Sequence, residues 1–143
     1  MDHFKEVKRW HRERGLPCGE ASFEDIKFRK RRARLIAEEF VETIEALGFE
    51  CGLDIYEEQG PAVFIHDTPL EGRFLSSPEL FLDGLADLGV ICEGSAVELG
   101  WDYNEARRRV QASNDTKPKT RDGNGKVIKG PSFIPPDLKD LTK

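Results

Sequence analysis

Two long stretches of the chain carry the apolar spacing of helices, and they differ in how far round the helix that spacing runs. From Arg32 to Leu47 the sequence reads R-A-R-L-I-A-E-E-F-V-E-T-I-E-A-L. At about 100° per residue, Ala33, Ile36, Ala37, Phe40, Val41, Ile44 and Leu47 share one arc, and Glu38, Glu39, Glu42 and Glu45 lie within an opposing arc of roughly 120°. This predicts an amphipathic helix with its apolar arc toward the core and an acidic arc, spaced E-E-x-x-E, toward solvent. Leu35 and Ala46 project between Glu39 and Glu42, so the acidic arc also carries groups that pack. Ser22, ahead of Glu24 and Asp25, is the expected N-cap and Gly48 the terminator, for a helix of roughly six or seven turns.

The second stretch opens at Pro78-Glu79 and ends at Gly100, and it is apolar almost all the way round. Phe81, Leu85, Leu88, Cys92 and Leu99 cover one side, Leu82, Ala86, Val90 and Val97 a second, Leu80 and Ile91 a third. Such a helix is expected to be buried on most faces. Asp83 and Asp87 nevertheless stand one turn apart on it, with Glu79 one turn earlier. Buried like charges must protonate, pair with a cation or hold a metal, and no Lys or Arg occurs between Arg73 and Arg107. Carboxylate oxygens without Cys or His favour magnesium, with manganese as the alternative. Gly84, Gly89 and Gly94 in the same helix imply close approach by neighbouring helices or by a ligand.

Shorter elements complete the pattern. Phe4–Arg14 predicts a helix stopped by Gly15-Leu16-Pro17, its Phe4, Val7 and His11 edge reading as packing, with contact of Trp10 or His11 to a planar ligand as the lesser alternative. Between residues 49 and 78 closely spaced Gly and Pro leave room for a short helix over Leu53–Glu58 and an extended piece at Ala62–Ile65. His66-Asp67 lacks supporting His residues for a metal pair. Asp102 predicts the N-cap of a basic helix from Tyr103 to Ser113. Asp122-Gly123-Asn124-Gly125 predicts a tight turn within a small hairpin between Lys119 and Lys129, and Phe133 at the position of a bidentate Glu excludes a calcium loop.

Composition narrows the picture further. The 143 residues are about one domain long, and a net charge of -5 with 34% charged residues argues against a nucleic-acid-binding surface. Lys117, Lys119, Arg121, Lys126 and Lys129 concentrate positive charge in the tail, which suits a polyphosphate. The three cysteines match neither a zinc site nor a disulfide framework, and no run approaches the roughly 18 apolar residues of a membrane span, so a cytoplasmic protein without membrane attachment is expected. His is absent from both acidic helices, which disfavours a di-iron bundle.

With both acidic helices placed, the chain resembles the MazG-like, all-α nucleoside triphosphate pyrophosphohydrolases, relatives of the phosphoribosyl-ATP pyrophosphohydrolases and the dimeric all-α dUTPases. L-I-A-E-E-F-V-E at 35 to 42, D-G-L-A-D-L at 83 to 88 and S-N-D-T-K at 113 to 117 carry the resemblance. F-K-E-V-K-R-W-H-R-E-R-G-L-P and K-G-P-S-F-I-P-P-D-L are similar to one small subgroup. The resemblance implies an all-α, MazG-like helical bundle in one domain over 1–143. Its two long helices would be antiparallel, with shorter N- and C-terminal helices and an irregular tail: N-terminal helix and loop 1–22, acidic core 23–113, basic tail 114–143.

It also implies magnesium-dependent cleavage of a nucleoside triphosphate between the α- and β-phosphates, and a homodimer. Glu39 and Glu42 would be metal ligands, and Glu38 would ligate the metal or orient and deprotonate the attacking water. Asp87 matches the Asp of the family's E-x-x-D motif, while Gly84 stands where its Glu would be and Asp83 is the expected substitute. Asn114 and Lys117, with Lys129 as a third, are the candidate phosphate-binding residues. The alternative is a non-catalytic nucleotide- or protein-binding module of the same fold.

Overall fold

Three aspartates set where three helices begin. Asp2, Asp25 and Asp102 accept from the backbone N–H groups of Lys5 (3.3 Å), Lys27 (2.8 Å) and Glu105 (3.0 Å), satisfying donors that a first turn otherwise leaves unpaired. The resulting elements are α1 (His3–Glu13), α2 (Ile26–Glu45), β1 (Cys51–Tyr56), β2 (Gly60–Ile65), α3 (Pro78–Leu99) and α4 (Tyr103–Asp115), followed by a 3₁₀ turn at Lys139–Thr142. The computed structural model describes residues 2–56, 60–65 and 76–143, with backbone alone for 52–56 and 60–65. The class is all-α, with one two-stranded antiparallel hairpin between α2 and α3.

The cap of α2 is Asp25 rather than Ser22. Ser22 instead turns the chain just before it, its hydroxyl accepting from Glu24 N–H at 3.2 Å and its carbonyl from Asp25 N–H at 3.1 Å. The helix expected over Leu53–Glu58 is corrected as well: β1 runs through Cys51–Tyr56 and pairs Cys51 with Ile65 and Leu53 with Val63. Apolar residues alternate at Cys51, Leu53 and Ile55, a period-two pattern that suits a strand. The extended piece at Ala62–Ile65 forms part of β2. Glu57 and Glu58, and the His66-Asp67 pair, lie outside the described residues.

Two compact units arise from the chain: residues 20–95, and residues 1–19 together with 96–143. In the first, α2 and α3 run antiparallel. Ser77 N–H donates to the Ala46 carbonyl (2.8 Å) at one end, and Arg32 reaches Ser95 Oγ (2.9 Å) and the Ile91 carbonyl at the other. The packed stripe of α2 is Phe28, Arg32, Leu35, Glu39, Thr43 and Ala46, of which Phe28, Arg32, Thr43 and Ala46 are buried.

That stripe is not the apolar arc predicted from the sequence. Ala33, Ile36, Ala37 and Phe40 instead line an open groove of about 730 Å³ with Lys30, Arg34 and Leu88. The expectation that α3 is buried on most faces fails for its first half, where Leu80, Leu82 and Leu85 are 61%, 69% and 48% exposed. Its second half meets the expectation, with Glu93, Gly94, Ala96, Val97 and Glu98 buried. The first turns of α3 thus pack on α2 through Gly84 and Thr43 and leave Leu80, Leu82 and Leu85 exposed.

In the other unit, the Phe4 and Tyr103 rings lie 6.0 Å apart and Asn104 Nδ2 donates to Asp2 Oδ1 at 3.0 Å, tying α1 to α4. His11 is buried, and its Nδ1 donates to the Pro17 carbonyl at 3.2 Å. Its role is packing around the Gly15-Leu16-Pro17 turn. The tail is docked on α4 rather than loose: Ser113 Oγ donates to the Ile134 carbonyl (2.6 Å), and Arg109 forks onto both carboxylate oxygens of Asp140 (2.5 and 2.8 Å). The predicted hairpin survives as one antiparallel bridge, Arg121 to Val127, closed by Asp122 accepting from the N–H groups of Asn124 and Lys126.

Hydrogen bonds from Arg108 and then Arg109 hold the Glu105 carboxyl down at about 2, and Arg109 likewise lowers Asp140. A carboxylate depressed in the folded state adds stability above its unfolded value, and that contribution is lost as pH falls through the folded value. At neutral pH the Arg109 clamp is therefore fully formed. Asp140→Asn is expected to speed carboxypeptidase trimming of the last residues at pH 7; trimming at the wild-type rate would show that the clamp does not hold the tail.

Candidate carboxylate site

Five carboxylates predicted to act together lie on the facing helices α2 and α3. Glu38, Glu39 and Glu42 belong to the last turns of α2, and Asp83 and Asp87 to the first half of α3. The antiparallel crossing places these segments opposite each other, because Thr43 of α2 packs directly on Gly84 of α3. Glu39, one turn before Thr43 on the same stripe, is the most enclosed of the five, and the others are exposed. Of the two placements open to Asp83 and Asp87, burial within the apolar helix or the surface at a gap in its packing, the structure has the second.

Exposure does not remove the electrostatic coupling. The Glu39 carboxyl is pushed above its ordinary value of 4.5, first by burial and then by the charges of Asp87, Glu42, Asp83 and Glu38. Those four are the other members of the predicted set. Among the described residues, none of the five makes an ion pair or a side-chain hydrogen bond. Nor are three His, Cys, Asp or Glu side chains there gathered closely enough to hold one ion as they stand. The donor set itself, all carboxylate oxygen, suits a hard divalent cation.

Gly84 has a physical explanation in this crossing. A Cβ at position 84 would lie 2.6 Å from Thr43 Oγ1 and 3.1 Å from Thr43 Cα. Thr43 is buried and its hydroxyl donates to the Glu39 carbonyl at 2.6 Å, so it has no room to withdraw. A Glu at 84 is therefore incompatible with this helix spacing. By contrast, a Cβ at Gly89 would meet nothing within 4 Å, so close approach accounts for Gly84 and not for Gly89.

The predicted phosphate-binding residues belong to the other unit. Helix α4 runs to Asp115, two residues past its expected end, so Asn114 lies inside its last turn, exposed, and its carbonyl accepts from Lys117 N–H at 3.0 Å. Thr116 is the C-cap of the helix. Lys117 and Lys129 lie over the same ring, their Nζ atoms 5.7 and 4.8 Å from the Phe133 centroid.

Sequence reasoning passed over Thr43, Arg32 and Phe133. Thr43 carried a legible signal, since it shares the stripe of Glu39 and Ala46. Burial of Arg32 carried none, because its partners, Ser95 and Ile91, are more than fifty residues away. All three cysteines are free thiols, and among the described residues no helix is long and apolar enough to cross a membrane. No protein-family model and no curated protein matches this chain.

Proposed function

We propose that the protein is a magnesium-dependent nucleoside triphosphate pyrophosphohydrolase of MazG-like type, acting in the cytoplasm. Water attacks the α-phosphorus, the bond to the α,β-bridging oxygen breaks, and a nucleoside monophosphate and pyrophosphate leave. The observation that carries this reading is the coupling of Glu39 to four further carboxylates that have no cation partner among the described residues.

In this mechanism Glu39, Glu42, Asp83 and Asp87 would hold the metal through their oxygens, and the metal so held would supply charge neutralisation on the phosphates and an acidified water. Glu38, exposed at the edge of the cluster, orients the attacking water and accepts its proton. Asn114 donates its side-chain amide to phosphate oxygens, and Lys117 and Lys129 offer ammonium groups. No covalent nucleophile on the protein is needed.

The open groove along Ala33, Ile36, Ala37 and Phe40, with the exposed Leu80, Leu82 and Leu85, supports a homodimer in which a second copy covers these apolar sides. Leu82→Glu is expected to halve the mass seen by light scattering; a wild-type monomer would remove the dimer from the proposal.

A second reading, a non-catalytic module that binds nucleotide or protein, is favoured by one feature. The Thr43 contact at Gly84 leaves no place there for the family's Glu carboxylate. A panel of ribo- and deoxynucleoside triphosphates with magnesium, followed by pyrophosphate detection and product identification, decides between the two. Monophosphate and pyrophosphate in equal amounts are expected from at least one nucleotide. Their absence from every nucleotide tested, with folded protein, would sink the enzymatic reading.

A further inference from the structure

We propose that the first turns of α2, from Ile26 to Arg34, together with the Phe23 ring just before them, form a docking surface for single-stranded nucleic acid. The inference goes beyond the proposed function and does not depend on it.

The chain here reads I-K-F-R-K-R-R-A-R, six cations in nine residues with no carboxylate among them. The net charge of -5, which argues against a general nucleic-acid surface, is the sum of +6 in this segment and -11 in the rest. The charge is segregated, and one short piece of helix holds the positive part. Buried Phe28 and Arg32 dock one side of that piece, Arg32 donating to Ser95 Oγ at 2.9 Å. Lys27, Arg29, Lys30, Arg31 and Arg34 are exposed on the others. Among the described residues, Lys27, Arg29, Lys30 and Arg34 make no ion pair. Of the carboxylates that precede the helix, Glu24 and Asp25, the second is engaged as the cap, accepting from Lys27 N–H at 2.8 Å.

Folding alone gives no reason for this placement. The helix dipole favours carboxylates in the first turn and cations in the last, yet α2 has no acidic residue in its first turn, no basic residue in its last, and closes on Glu38, Glu39, Glu42 and Glu45. The reversed polarity opposes the dipole at both ends. An anion bound at the first turns offsets the cost at that end.

The chemistry of the patch selects the kind of anion. The Phe23 ring is 52% exposed, and the Arg29 guanidinium carbon lies 6.0 Å from its centroid. An unpaired base stacks on an aromatic face or a guanidinium plane, and its phosphates pair with the neighbouring cations. From Lys27 to Arg34 the helix axis runs about 10 Å, the length of about three nucleotides at roughly 3.4 Å each. A flat anionic membrane would also meet the exposed Glu38 and Glu42 of α2 and Asp83 and Asp87 of α3, which repel it. An acidic peptide leaves the ring without a stacking partner. A narrow, flexible strand follows the patch and avoids the carboxylates.

Fluorescence anisotropy of the full chain without magnesium tests this, using labelled RNA and DNA single strands of about 15 nucleotides. Binding is expected, with the logarithm of affinity falling against the logarithm of salt at a slope of about -2, from about three phosphates. The groove proposed to receive a second copy is lined by Lys30 and Arg34 but not by Lys27 or Arg29, so the latter two are replaced. Lys27→Gln with Arg29→Gln should weaken binding at least about tenfold and bring the slope to about -0.7, with a melting temperature no lower than that of the wild type. Phe23→Leu, outside the helix, should weaken binding at least about fivefold, whereas Phe23→Tyr should bind as the wild type does. Lys119→Gln with Lys126→Gln removes the same charge from the other unit and is expected to change binding less than about twofold.

A preference for RNA or for DNA names the source of the strand and supports the surface. Failure of both strands to bind at low salt, equal losses from the two double variants, or wild-type binding by Phe23→Leu would each overturn it. Tighter binding of phosphatidylserine vesicles or of polyglutamate would overturn it as well, giving the patch to a membrane or to an acidic protein.

Discussion

Glu39→Gln is expected to lower magnesium-dependent turnover by at least about 100-fold, since a metal ligand contributes several kcal/mol of charge stabilisation. The same substitution is expected to raise the melting temperature of the metal-free protein at neutral pH. Burial and the neighbouring Asp87, Glu42, Asp83 and Glu38 raise the Glu39 carboxyl above 4.5 in the folded protein. A group raised on folding contributes stability that is complete below its unfolded value and lost as pH rises through its folded value. As pH rises through the folded value that contribution is lost, and the ionised Glu39 then faces the four neighbouring charges.

Glutamine removes the charge and keeps the shape, so the gain appears at pH 7 and disappears below about pH 4.5, the ordinary range of the carboxyl. Magnesium, binding the folded wild type, raises its melting temperature at pH 7 and leaves that of Glu39→Gln unchanged. Asp87→Asn, which removes the strongest of the charges acting on Glu39, should follow in the same direction. Thermal melts across pH with and without magnesium measure all of this. A Glu39→Gln protein less stable than wild type at pH 7, or one stabilised equally by magnesium, would remove the carboxylate cluster as a cation site.

Gly84→Ala is expected to destabilise the fold although it replaces glycine inside a helix. The substitution gains about 1 kcal/mol in intrinsic helix preference. Against this stands a Cβ at 2.6 Å from Thr43 Oγ1 and 3.1 Å from Thr43 Cα, contacts that force α2 and α3 apart. Overpacking of this kind costs typically 1–3 kcal/mol, and the contact with Thr43 backbone, which no rotamer change relieves, places this site at the upper end. A net loss of about 1–2 kcal/mol follows, a fall in melting temperature of roughly 4 °C for each kcal/mol at this size.

Gly89→Ala provides the internal contrast, since its Cβ meets nothing within 4 Å and only the helix gain of about 0.5–1 kcal/mol remains. Thermal denaturation of the pair should move in opposite directions. A Gly84→Ala protein as stable as Gly89→Ala would mean that the helices yield freely at this crossing. Because Glu39 lies one turn from Thr43, the displaced crossing should also lower turnover, and Gly84→Glu should be worse in both respects.

Local chemistry was legible without the fold. Asp102 began a helix and Gly48 closed one where expected, and Asp122-Gly123-Asn124-Gly125 turned the chain. Caps and turns are contacts within a few residues, so the sequence holds both partners side by side. Ser22 and Asp25 show the margin of such reasoning: both are competent caps three residues apart, and the side chain that reaches a free N–H of the first turn takes the role.

Four helices, the N-cap of the last of them and the placement of five carboxylates on the two long ones follow from the sequence alone. It could not determine which arc of α2 would pack. Amphipathic spacing favours Ala33, Ile36, Ala37 and Phe40, but burial is a property of pairs of surfaces. In the folded chain the close crossing of Thr43 on Gly84 and the anchoring of Arg32 on Ile91 and Ser95 turn Glu39 inward and leave the apolar arc as a groove. Those contacts join residues far apart in the chain, and they decide that Glu39 is half-buried while Glu38, Glu42, Asp83 and Asp87 beside it are exposed. The sequence could likewise place Lys117 and Lys129 in one basic tail, but only the docking of that tail on α4 brings both over Phe133.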